Sequence, residues 1–136
     1  MNPEEADYPQ LGGFEHVHLE DSFVLGIEAT PARLTLDVEL VLTPQHPAYR
    51  SPAPGEQNCY ARATIEFRNV WNLNWTGQGT PPATDVSGEK DYGGIDALSR
   101  SGAVFHLEGD WGAIDMTCDA PEIRFGPDGF TRNRAG

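Results

Sequence analysis

Residues 32–43 constrain the fold more than any other stretch of the chain. Leu34, Leu36, Val38, Leu40 and Leu42 alternate there with Arg33, Thr35, Asp37, Glu39 and Val41. A period of two places one set on a single face of a strand, whereas a helix would scatter the leucines around its axis. Ala29-Thr30-Pro31 is a turn signal just upstream, and Phe23, Leu25 and Ile27 alternate before it. Segments 22–29 and 32–43 therefore read as a hairpin.

The same pattern recurs along the chain. Residues 14–20 give a short strand carrying Val17 and Leu19. Residues 59–71 give a long one with Cys59, Ala61, Ala63, Ile65 and Phe67 inward, and a bulge or strand end is expected at Val70-Trp71. Segments 95–99, 103–108, 112–118 and 121–125 follow, with Phe105, Leu107, Ile114, Met116, Ile123 and Phe125 as inward residues. Ser101-Gly102 and Gly109-Asp110 mark tight turns between them. No helix is predicted. Seven or eight antiparallel strands bury such faces as an all-β two-sheet sandwich or a partly open barrel. Leu36, Val38, Ile65, Phe67 and Ile114 are expected deep in the core.

The chain of 136 residues fits one domain, long enough to stabilise itself through its own core. Residues 1–13 read as a flexible leader, 14–125 as the β domain, and 126–136 as a flexible tail. Two connections are long. Residues 44–57 hold Pro44, Pro47, Pro52 and Pro54, and 76–93 are rich in Gly, Pro, Thr and Asp. Long connections in a compact domain are candidate binding loops.

Charge limits the partners. Lys and Arg total 9 against 21 Asp and Glu, for a formal net charge of -12. Such a surface repels nucleic acid and anionic lipid and attracts basic proteins. No basic-then-apolar leader precedes the domain and no apolar stretch is long enough to span a membrane, so a reducing cytoplasm and two free thiols, Cys59 and Cys118, are expected.

Chemical motifs are sparse. His16 and His18 are two apart on a predicted strand, which would set both imidazoles on one face; His106, sharing a face with Glu108, is the nearest thing to a third metal ligand. Asp85 and Asp96 bracket an oxygen-rich stretch, but Lys90 occupies the place where a calcium loop needs glycine. There is no G-x-S-x-G elbow and no glycine-rich phosphate loop. No catalytic residue, cofactor or metal site is assigned. Trp71-Asn72-Leu73-Asn74-Trp75 sets large rings beside amides at the mouth of the 76–93 loop. Trp71 and Trp111 are expected to plug the ends of the sandwich. Trp75, with Asp85, Glu89, Asp91 and Tyr92, is the predicted partner-binding set, an aromatic anchor beside carboxylates that steer a basic partner.

Four motifs, Phe23 after Glu20-Asp21-Ser22, Gly55-Glu56-Gln57-Asn58-Cys59-Tyr60, Asp91-Tyr92-Gly93-Gly94-Ile95-Asp96 and His106-Leu107-Glu108-Gly109-Asp110-Trp111-Gly112, resemble those of a family of small uncharacterised bacterial β domains. In its acidity and size the chain is also similar to β proteins that act as immunity factors beside bacterial toxins. The resemblance implies a non-catalytic binding protein, of immunity or accessory type, that recognises a protein partner. The alternative is a ligand-binding or metal-dependent sandwich.

Overall fold

The computed structural model describes residues 5–52, 54–77, 83–84 and 90–125. Its strands are β1 (Glu5–Asp7), β2 (Val17–Thr30), β3 (Arg33–Leu42), β4 (Cys59–Arg68), β5 (Trp71–Thr76), β6 (Ala83–Thr84), β7 (Lys90–Asp91), β8 (Ile95–Ser101), β9 (Val104–Gly109), β10 (Gly112–Thr117) and β11 (Glu122–Phe125). All pairings are antiparallel. One sheet runs β1-β8-β9-β10-β5 and the other β11-β4-β3-β2, with β6 and β7 forming a small separate ladder. The protein is thus an open two-sheet sandwich, not closed into a barrel.

The apolar rows predicted from alternation form its core. Leu34, Leu36, Val38 and Leu40 of β3 and Ala61, Ala63, Ile65 and Phe67 of β4 meet Leu98, Phe105, Leu107, Ile114 and Met116 of the opposing sheet in one buried cluster. Phe67 and Phe105 pack edge to face across it, ring centroids 6.0 Å apart. Leu36, Val38, Ile65, Phe67 and Ile114 are all buried.

Strand β2 departs from the sequence reading. Segments 14–20 and 22–29 are one strand of 14 residues, interrupted by register shifts between His18 and Phe23 and between Val24 and Gly26. The first shift leaves the four residues 19–22 facing only Leu40 of β3. The Ser22 hydroxyl closes the gap, donating to the His18 carbonyl and accepting from the Val41 N–H, both at 2.8 Å. These bulges reverse the parity of the strand, so the buried side chain is Val24, while Phe23 and Leu25 are only half-buried. Further on, the Val24 N–H donates to the Gly93 carbonyl and the Tyr92 N–H to the Val24 carbonyl, each at 2.8 Å, which ties β2 to the chain entering β8.

The stretch read as a leader is docked from Glu5 onward. Strand β1 pairs with β8, a 3-10 turn follows at Tyr8–Gln10, and Leu11 and Phe14 enter the core. Apolar burial decides this, because Leu11 and Phe14 are the large apolar side chains between the Pro9 turn and Val17. Residues 126–136, predicted as a tail, lie outside the described residues.

Strand β4 ends at Arg68, two residues before the break expected at Val70-Trp71, and Trp71 opens a new strand instead of closing the old one. Asn69, in the left-handed conformation that asparagine tolerates, turns the chain into the other sheet as β5.

Cys59 and Cys118 are free and buried. Burial, with Asp119 beside it, pushes the Cys118 thiol up to about 12. Both thiols should therefore resist a disulfide reagent in the native protein and react at once in denaturant, followed by absorbance of the released thiol. Fast labelling of both in native buffer would contradict the burial of Cys59 on β4 and of Cys118 just after β10.

Candidate functional site

Of the predicted partner-binding residues, Trp75, Asp91 and Tyr92 are described, and none of the three is fully exposed. Trp75 is half-buried, packs against the core, and donates its indole N–H to the Trp111 carbonyl at 3.1 Å. Trp111 sits in the β9–β10 turn yet is only 2% exposed, its own indole N–H donating to the Gly94 carbonyl at 3.3 Å. Trp111 thus closes one end of the sandwich, as its reading predicted. Gly109 permits this: a Cβ there would stand 2.5 Å from the Trp111 Nε1 and 2.6 Å from the Gly94 carbonyl oxygen. Tyr92 is half-buried at the same end. Asp91 is 9% exposed and accepts the Gly93 N–H at 2.8 Å, which shapes the turn into β8. Asp85 and Glu89 lie outside the described residues. So does most of the 76–93 loop, including the stretch that begins the calcium-like spacing.

The exposed tryptophan is Trp71, at 61%, which corrects its assignment as an end plug. The cause is local. Simple alternation would set Trp71 on the inner side with Leu73 and Trp75. A bulge in β5 opposite Asp115 and Thr117, with Asn72 at φ 55°, rotates it outward. The register then places Trp71, Thr117, Val104 and Ser101 side by side across β5, β10, β9 and β8. Residues directly opposite in a ladder share a face, so Trp71 and Val104, itself 43% exposed, flank Thr117 on the outer surface.

The adjoining row runs Asn74, Asp115, His106, Ser99 and Asp7. Here His106 is held at both ring nitrogens. Nδ1 lies 2.6 Å from Asp115 Oδ1, and Nε2 lies 3.0 Å from Glu108 Oε1. The hydrogen bonds to Asp115 and Glu108 raise its pKa above the ordinary 6.5, against a smaller opposing effect of burial. Because the carboxylates approach opposite sides of the ring, no single ion could be gripped by all three side chains. Hairpin arithmetic around the Asp110-Trp111 turn carries the signal for this pair, since pairing Gly109 with Gly112 brings Asp115 opposite His106.

Charge is segregated between the two sheets. Among the described residues no Arg or Lys takes an outward position on the β1-β8-β9-β10-β5 sheet; Arg100 lies opposite inward Phe105, its guanidinium donating to the Gly102 carbonyl. Arg33, Arg62, Arg68 and Arg124 belong to the other sheet. Three of these converge on buried Glu66. Arg68 reaches it at 2.9 Å, Arg124 at 3.1 Å and Arg33 at 3.3 Å. Arg62 pairs with Asp37 at 3.0 Å. Arg68 also reaches Glu122 at 3.5 Å, so each of these guanidiniums pairs with a carboxylate of its own sheet.

The predicted histidine set is not assembled. His16 precedes β2 in a left-handed conformation, so it does not share a strand face with His18. His18 is exposed and bonded to Asp21 at 2.8 Å, and His106 belongs to the other sheet. Among the described residues no group of three or more His, Cys, Asp or Glu is placed to hold a metal ion, and no helix is long and apolar enough to cross a membrane.

Comparison with known proteins returned no matching family model, no matching curated protein and no matching solved structure.

Proposed function

We propose that this protein is a non-catalytic binding protein, of immunity or accessory type, that captures a basic protein partner on the outer face of its β1-β8-β9-β10-β5 sheet. One observation carries the reading: Trp71, the most exposed large apolar side chain among the described residues, stands on a sheet face whose outward charges, among those residues, are carboxylates and one carboxylate-bound histidine. A tryptophan supplies desolvated contact area, and the surrounding negative potential steers a basic surface toward it. Free buried thiols fit action in a reducing cytoplasm.

The probe is a capped peptide of alternating Lys and Leu, with a Glu/Leu peptide as control, titrated by calorimetry. Wild-type protein should bind the basic peptide alone, more weakly as salt rises. Trp71→Ala should weaken binding about tenfold or more, the usual effect of losing an aromatic anchor. The residue is exposed, so the variant should fold as the wild type does. Unchanged affinity in Trp71→Ala sinks the proposal.

A further inference from the structure

The central row of this face contains a group that changes charge near neutral pH. His106 is bracketed by Asp115 and Glu108, and both carboxylates are more than half exposed. Across β8 the facing residue is Ser99, which is uncharged; beyond it on β1 is Asp7, and across β10 on β5 is Asn74. The one cation on these strands, Arg100 of β8, lies opposite inward Phe105 and donates to the Gly102 carbonyl, away from the imidazolium. Protonated, His106 donates to both carboxylates and cancels one of their two charges. Neutral, it has one N–H to give, and its bare nitrogen must face a carboxylate oxygen. The longer contact, to Glu108, is the one released.

Resting on the reading above, we infer that His106 is a proton switch on the partner-binding face, weakening capture of a basic partner when protonated and strengthening it when neutral. Deprotonation takes the cluster from one net negative charge to two and frees Glu108, two residues along β9 from His106, to meet a cation of the partner. The folding linkage has the same origin. Because native His106 binds its proton more tightly than a free histidine, its stabilising effect is complete below the ordinary histidine pKa. It is lost as pH rises through the raised value.

The test is titration of the Lys/Leu peptide from pH 6 to 9, where its lysines stay charged. Wild-type affinity should rise about fivefold as pH rises, the effect of one added charge at contact distance in water. His106→Gln should abolish that rise, whereas His18→Gln, on the other sheet, should retain it. The His106 ring, followed by NMR, should titrate above 6.5. A pH step that survives in His106→Gln, no step in the wild type, or a ring titrating below 6.5 each overturns the switch while leaving the Trp71 result intact. Unchanged binding by Trp71→Ala overturns the docking face itself.

Discussion

Replacing Trp111 with alanine is expected to cost about 3–5 kcal/mol, the range for emptying a large buried aromatic site. The side chain is fully enclosed at the end of the sandwich, and its indole N–H satisfies the Gly94 carbonyl. Truncation leaves both a cavity and an unpaired carbonyl where the turn into β8 passes the β9–β10 hairpin. A domain of this size has roughly 5–15 kcal/mol of stability in all, so the variant should remain folded at low temperature but unfold at much lower urea. Urea titration followed by far-UV circular dichroism reads the loss. A midpoint within error of the wild type would mean that Trp111 is not enclosed.

Gly112→Ala should do at least as much damage, for a different reason. Gly112 opens β10 with φ 117°, a conformation an L side chain rarely adopts, and a Cβ there would stand 2.0 Å from the Thr76 carbonyl oxygen of β5. That neighbour is backbone and cannot swing aside, so β5 must separate from β10 at their shared end. A loss of about 4 kcal/mol or more is expected, in the class reserved for disrupted backbones and cores. Gly12→Ala is the control, since nothing lies within 4 Å of its Cβ position; it should fall within about 0.5 kcal/mol of the wild type. Equal stability of the two variants would refute the close β5–β10 approach.

Alternation made β3, β4, β9 and β10 legible, because each strand has one face in a shared core and the hydrophobic effect enforces the period. Glycine-bearing turns at Ser101-Gly102 and Gly109-Asp110 marked the two hairpins of the same sheet. What remained hidden was every feature that breaks the period. In β2, Ser22 supplies a side-chain hydroxyl where the ladder lacks a partner, which hides a bulge that moves Phe23 off the core face. In β5, one left-handed asparagine reverses Trp71, and nothing in an Asn-Leu-Asn context distinguishes it from a loop. The predicted aromatic set therefore held Trp75, which is tied to the Trp111 carbonyl, and omitted Trp71. The His106–Asp115 pair was within reach of sequence, since the hairpin turn sets its register. The separation of arginines from the acidic sheet was not, because it depends on which distant strands become neighbours.

The strand order also bears on how the chain is made. Strand β4 acquires its outer neighbour only when β11 appears, about fifty residues later. At ordinary ribosomal speeds of about 5–20 residues per second, β4 has a bare edge for roughly three to ten seconds. During that interval Ala61, Ala63, Ile65 and Phe67 form an apolar strand open to another nascent chain. Arg62, Glu66 and Arg68 alternate with that row. A like strand pairing edge to edge would have to desolvate these charges or bring like charges together. Arg62, Glu66 and Arg68, which in the folded sheet pair with charges of their own sheet, are placed to oppose such edge-to-edge association.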